Sequence, residues 1–221
     1  MGREIEIVAG DGHRLGAYLA EPAVPARGGL VIIQEAFGVN AYVRSVCERY
    51  AGEGYRAIAP ALYDRQRRGA EFGYEKSELD AARQLRAGLV WDDVLRDVEA
   101  ARTAVAQTGK VGIVGYCVGG SVAWLAAQHL PLAAAVSYYG RDIVGMLDQP
   151  PRCPTMLFFA ERDAHIPLSD VNTIETAFPE LPIYVLPGEH GFDCDQRPSF
   201  APDSARTARK RALSLFRKCI G

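Results

Sequence analysis

The residues that most constrain this chain are 110–126, KVGIVGYCVGGSVAWLA. Residues 111–114 form a short, wholly apolar run that reads as a strand buried on both faces. Gly115-Tyr116-Cys117-Val118-Gly119 then turns sharply, and residues 120–126 continue with helical character. A residue at the tip of so tight a strand-to-helix turn needs a strained backbone, and its neighbours two positions away must be small for strand and helix to approach. Gly115 and Gly119 meet that need. The pattern is a nucleophile elbow with sulfur in place of a hydroxyl oxygen. Backbone N–H groups at the helix start point at the Cys117 side chain and favour a thiolate, suited to attack on a carbonyl carbon. The pentapeptide by itself also fits an inert buried cysteine beside a glycine-rich packing turn.

The remaining periodicity says what surrounds the elbow. Residues 4–8 and 14–20 alternate polar and apolar about Gly10-Asp11-Gly12, which predicts an antiparallel hairpin. Residues 30–33 are a buried strand ending in QEAFGVN (34–40), and residues 55–59 are another, stopped by Pro60. Further strands are expected at 133–139, 154–160 and 183–186. Helices are expected at 41–53, 75–87, 91–107, 169–178 and 203–219, while 61–74 has a basic cluster and little periodicity. Strands alternating with helices after a hairpin predict an α/β fold with a mostly parallel sheet, helices on both faces, and catalytic groups on loops leaving the strand C-terminal ends.

At 221 residues the whole of 1–221 fits one domain with a sizeable core. A net charge of −2 gives no reason to expect nucleic acid or an anionic membrane as partner. No apolar run approaches the roughly 20 residues that span a bilayer, and the N-terminus lacks the basic and apolar regions of a signal peptide, so a cytoplasmic protein is expected. Five cysteines with no CxxC argue against a disulfide framework or a structural zinc site. Cys47, on the apolar face of the 41–53 helix with Val43, Val46 and Tyr50, reads as core. No GxGxxG after the first strand, Walker lysine or HExxH is present, so no cofactor or metal is expected.

A thiol nucleophile needs a base and the base needs an acid to orient it. Of the four histidines, His13 lies in the hairpin turn and His129 closes the helix after the elbow; His165 follows a strand, and His190 lies just past the last strand. Asp163, in the loop after strand 154–160 and before Pro167, is the better acid than Glu161. Taken singly, Asp163 could be a turn former and His190 a solvated loop residue. Nucleophile, acid and histidine in that order, each after a strand, is the order of an α/β-hydrolase.

The segments QEAFGVN (34–40), APALYDRQ (59–66), GYCVGG (115–120), ERDAHIP (161–167) and EHGFDCDQRPSF (189–200) together resemble the dienelactone hydrolase, or carboxymethylenebutenolidase, family over nearly the whole chain. The resemblance implies a Cys117, Asp163, His190 triad, an active-site carboxylate at Glu35, and Arg65 as the first arginine for a substrate carboxylate. The family's second arginine, four residues after the histidine, is Cys194 here, with Arg197 nearby.

The expected reaction is hydrolysis of a small ester or enol-lactone through an acyl-cysteine, with the Val118 and Ala36 N–H groups holding the oxyanion. Glu35 would accept the thiol proton, or hold the thiol neutral until a substrate anion arrives. Trp91, Tyr116, Tyr138 and Tyr139 are candidates for pocket wall or core. Acyl transfer on the same triad, or a thiol redox protein pairing Cys117 with Cys194, are the other readings. A monomer or small homo-oligomer fits either.

Overall fold

The computed structural model describes residues 2–221. Its centre is an eight-stranded sheet ordered β1-β2-β4-β3-β5-β6-β7-β8. The strands are β1 (Arg3–Val8), β2 (Arg14–Ala20), β3 (Gly29–Ile33), β4 (Arg56–Pro60), β5 (Val111–Tyr116), β6 (Ala134–Tyr138), β7 (Thr155–Ala160) and β8 (Ile183–Leu186). The β1–β2 and β2–β4 pairs are antiparallel and every other pair is parallel. This is the α/β-hydrolase arrangement with an N-terminal antiparallel hairpin.

Six α-helices cover the sheet: α1 (Ala41–Gly52), α2 (Lys76–Ala87), α3 (Trp91–Val105), α4 (Val118–His129), α5 (Leu168–Ala177) and α6 (Pro202–Cys219). The strand period of two sorts the core into two layers. Leu30 and Ile32 of β3 join Val43, Val46 and Tyr50 of α1 and Phe216 of α6 on one face, whereas Val31 and Ile33 join Val98 and Val105 of α3 and Val122 of α4 on the other. All five residues of β3 are buried. Each such aliphatic side chain contributes about 2 kcal/mol by leaving water, which is why a strand with no polar face is stable here.

A third, smaller cluster joins Phe37, Tyr63, Ala70, Phe72 and Ala82. It gives the aperiodic segment 61–74 its structure: that segment forms turns, and its apolar side chains anchor α2 beside the loop after β3.

The order of the strands also locates the crevice. From β3 the chain passes through α1 to β4 on one side, and after α2 and α3 it returns to β5 on the other. The loops that leave β3 and β5 therefore diverge between neighbouring strands, which opens a crevice at their C-terminal ends. Glu35 and Ala36 follow β3 and Cys117 follows β5.

Candidate active site

Cys117 sits between β5 and α4 with φ 57° and ψ −119°, a left-handed conformation rare for a residue with a side chain. Its own N–H donates to Tyr138 O at 3.0 Å and its carbonyl accepts from Gly120 N at 2.9 Å, so neighbouring strand and helix both hold the bend. The two flanking glycines are required by backbone. A methyl group on Gly115 would fall inside the Gly119 peptide, and one on Gly119 would stand 2.5 Å from Gln34 O. The half-buried Cys117 side chain is thereby turned out of the sheet into a cleft of about 380 Å³.

The structure brings Asp163 and His190 together beside it. His190 Nδ1 lies 2.8 Å from Asp163 Oδ2, with both side chains almost wholly buried. The second carboxylate oxygen is fixed as well, because Asp163 Oδ1 accepts from His165 N at 2.8 Å and Ile166 N at 3.1 Å. Burial opposes both charges. For Asp163 the His190 contact and these N–H groups outweigh it and hold the carboxyl below its ordinary range. For His190, the Cys117 sulfur and Asp163 outweigh burial and push the imidazole up to about 10. Tyr139, itself at φ 41°, packs against the His190 ring with centroids 5.0 Å apart, and His165 packs edge-on at 5.1 Å.

Ala36 lines the cleft, and its carbonyl accepts from Tyr63 Oη at 3.0 Å. Val118 is the first residue of α4, where an N–H has no partner within its own helix. Ala36 thus borders the cleft, and Val118 directly follows Cys117. Glu35 is fully buried behind it: Oε1 is 3.4 Å from Arg197 Nη1, and Oε2 has no hydrogen-bond partner. Burial pushes the Glu35 carboxyl up, against the opposing pull of Arg197 and His190.

Arg65 does not join them. Its Nε and Nη2 donate to Asp97 at 2.9 and 2.8 Å, and its Nη1 and Nη2 donate to Asp11 at 2.8 and 3.2 Å. A planar guanidinium matched by two carboxylates has no free edge for a substrate. The expected carboxylate-binding role is corrected accordingly: Arg65 ties the hairpin turn to α3. The arginine that reaches the cleft is Arg197, stacked over Phe37 and Tyr74 at 5.6 and 5.9 Å. Arg83 and Arg86 on α2 and Arg141 after β6 line it too.

One pair left no trace in the sequence pattern: Tyr42 of α1 donates to buried Asp193 at 2.8 Å and so pins the loop that bears His190. Cys194 is buried with Sγ 3.2 Å from Tyr74 Oη, and burial, helped by the Glu35 charge, pushes its thiol up to about 12. It is a poor partner for a redox pair with Cys117. Tyr116, Tyr138 and Tyr139 are buried in the core, and Trp91 lines an outer groove. Among the described residues no group of three His, Cys, Asp or Glu side chains is placed to hold a metal ion, and no helix is long and apolar enough to cross a membrane.

With the geometry in place, likeness to known proteins is informative. The sequence profile of the dienelactone hydrolase family matches residues 15–220. A Synechocystis protein provisionally named carboxymethylenebutenolidase is 38% identical, over 92% of this chain and 91% of its own length. The carboxymethylenebutenolidase of Pseudomonas putida is 30% identical, over 96% of this chain and 94% of its own. Among solved structures, a provisionally named dienelactone hydrolase of Klebsiella pneumoniae superposes with a TM-score of 0.84 at 30% identity, covering 99% of each chain.

Proposed function

Since the chain belongs to the dienelactone hydrolase family and is a carboxylic ester hydrolase, we propose that it cleaves small esters or enol-lactones through an acyl-cysteine on Cys117. One observation supports this above the others: a 2.8 Å Asp163–His190 contact joins residues from two different loops directly beside the strained Cys117.

With the shared proton on His190 Nε2 and its Nδ1–H held by Asp163, the Cys117 sulfur attacks the carbonyl carbon. The negative oxygen formed is met by the Val118 and Ala36 N–H groups, donors already oriented by α4 and by Tyr63. As the intermediate collapses, the C–O bond breaks and His190 returns its proton to the leaving oxygen. Water then gives a proton to His190 and attacks the thioester, and the thiolate leaves as the acid product forms. An enol or aryl alcohol is a better leaving group than an amine, so esters and lactones are favoured over amides.

Glu35 and Arg197 extend the reading. Their 3.4 Å contact is long for an ion pair, and one Glu35 oxygen is unpartnered in a dry setting. A substrate carboxylate can compete for Arg197, in the role the family resemblance gave to Arg65. Losing Arg197 would raise the basicity of Glu35, making it a second acceptor for the thiol proton.

The test is mass spectrometry of the enzyme quenched during turnover of phenyl acetate. An acetyl adduct on the peptide containing Cys117 is expected, with hydrolysis lost in Cys117→Ala. Undiminished turnover by Cys117→Ala would overturn the reading. For Arg197, the substitution Arg197→Ala should lower kcat/KM for the monophenyl ester of succinate more than for phenyl acetate.

A further inference from the structure

We propose that the alcohol half of the ester occupies a second subsite beyond the triad, and that Arg141 there selects alcohols bearing an anion. This rests on the ester-hydrolase reading above and concerns which esters that site accepts.

The cleft around Cys117 adjoins an outer groove of about 610 Å³, and the two share Arg141 and His165 as wall residues. The direction of the substrate follows from proton transfer. His190 must deliver its proton to the leaving oxygen, so the alcohol half stands beside the His190 ring. One side of that ring is closed by Tyr139, which is fully buried. On another stands His165, edge-on at 5.1 Å, and His165 borders both cavities. An alcohol group too large for the inner cleft therefore passes His165 into the outer groove, where Trp91, Val144 and Met146 offer an apolar wall suited to an aryl or unsaturated group.

Charge then selects among such alcohols. Of the four arginines lining the inner cleft, Arg83 pairs with Asp80, Arg86 with Asp142 and Arg197 with Glu35. Among the described residues, no carboxylate lies within ion-pair distance of Arg141, which opens the 3-10 turn Arg141–Gly145 after β6. Two carboxylates border the outer groove. Asp142 is engaged by Arg86 through two contacts of 2.8 and 2.9 Å. Asp170 lies in the first turn of α5, where the helix dipole offsets part of its charge. Arg141 is left as the cation whose partner has to come from outside the chain, at the height an alcohol half would reach. Carboxylate and phosphate share that chemistry.

The experiment compares kcat/KM for 4-carboxyphenyl, 4-(phosphonomethyl)phenyl and neutral 4-carbamoylphenyl acetate, so that intrinsic leaving-group differences cancel between enzymes. The anion-to-neutral ratio is expected to fall roughly fivefold in Arg141→Ala, as for a partly exposed ion pair, and further in Arg141→Glu. Added salt should erode the wild-type ratio, and Asp170→Asn should raise it. Whichever anion loses more on substitution identifies the natural group. A ratio identical in wild type and Arg141→Ala overturns the proposal. If no ester turns over, it is the hydrolase reading that fails, and Arg141 is then tested by calorimetry with 4-hydroxybenzoate. Weaker binding to Arg141→Ala supports the subsite, and equal binding overturns it.

Discussion

Asp163→Asn is the most exacting test of the triad, because the structure dictates which way the amide must turn. In the wild type Asp163 Oδ1 accepts two backbone N–H bonds, from His165 and Ile166, and Oδ2 accepts one from His190. An asparagine retains two of these three bonds if its oxygen stays under the backbone donors, and only one if it flips. At about 1 kcal/mol per bond, the first orientation wins by about fivefold or more. The amide NH₂ then faces His190 Nδ1, which must accept rather than donate. The ring proton is forced onto Nε2, the atom that should receive the thiol proton. A loss on the order of 10⁴ in kcat for phenyl acetate is expected from the wrong tautomer alone. The pH dependence has a definite sign. His190 sits at about 10, above its unfolded value near 6.5, so its contribution to stability is complete below about pH 6.5 and lost as pH rises through about 10. Asp163 is held low, so its contribution is present above about pH 4 and lost as pH falls through its folded value. Urea melts should therefore place the largest wild-type advantage over Asp163→Asn between these limits, and the His190 resonance of the variant should titrate below the wild-type value. A variant that keeps kcat within tenfold, or leaves the His190 titration where it was, would refute the reasoning.

Three other outcomes follow from contacts described above. Tyr42→Phe should destabilise by about 2 kcal/mol, since it leaves the buried Asp193 carboxylate without its hydroxyl partner, whereas Asp193→Asn should cost less because burial already disfavours that charge; equal urea midpoints for the two variants would count against this. Arg65→Ala should destabilise by about 3 kcal/mol by leaving Asp97 unpaired on α3, and should leave the preference for anionic over neutral esters at its wild-type value; a changed preference with unchanged stability would reinstate Arg65 at the substrate. Gly115→Ala should fail to give folded, alkylatable Cys117 as judged by circular dichroism and iodoacetamide labelling, because its methyl group meets the Gly119 peptide rather than a side chain that could move.

What could be read from the chain itself was whatever depends on residues close together in sequence. The alternation of β1 and β2, the unbroken apolar runs of β3 and β5 and the Gly-x-Cys-x-Gly turn are local patterns, and they sufficed for the fold class and for singling out the strained bend at Cys117. The sequence order of Cys117, Asp163 and His190 was equally legible, because an α/β sheet brings strand C-terminal ends to one edge whatever lies between them. The cations were a different matter. Arg65 stood in the family motif, yet Asp11 and Asp97 lie 54 and 32 residues away from it and nothing local announces that they converge on its guanidinium. Arg197 reaches Glu35 across 162 residues, and Tyr42 reaches Asp193 across 151. A long polar side chain adopts whichever partner the finished fold sets within a few ångströms, so its role is decided by packing. Backbone strain and strand periodicity are properties of a few neighbouring residues, and for that reason they were visible before the chain was folded.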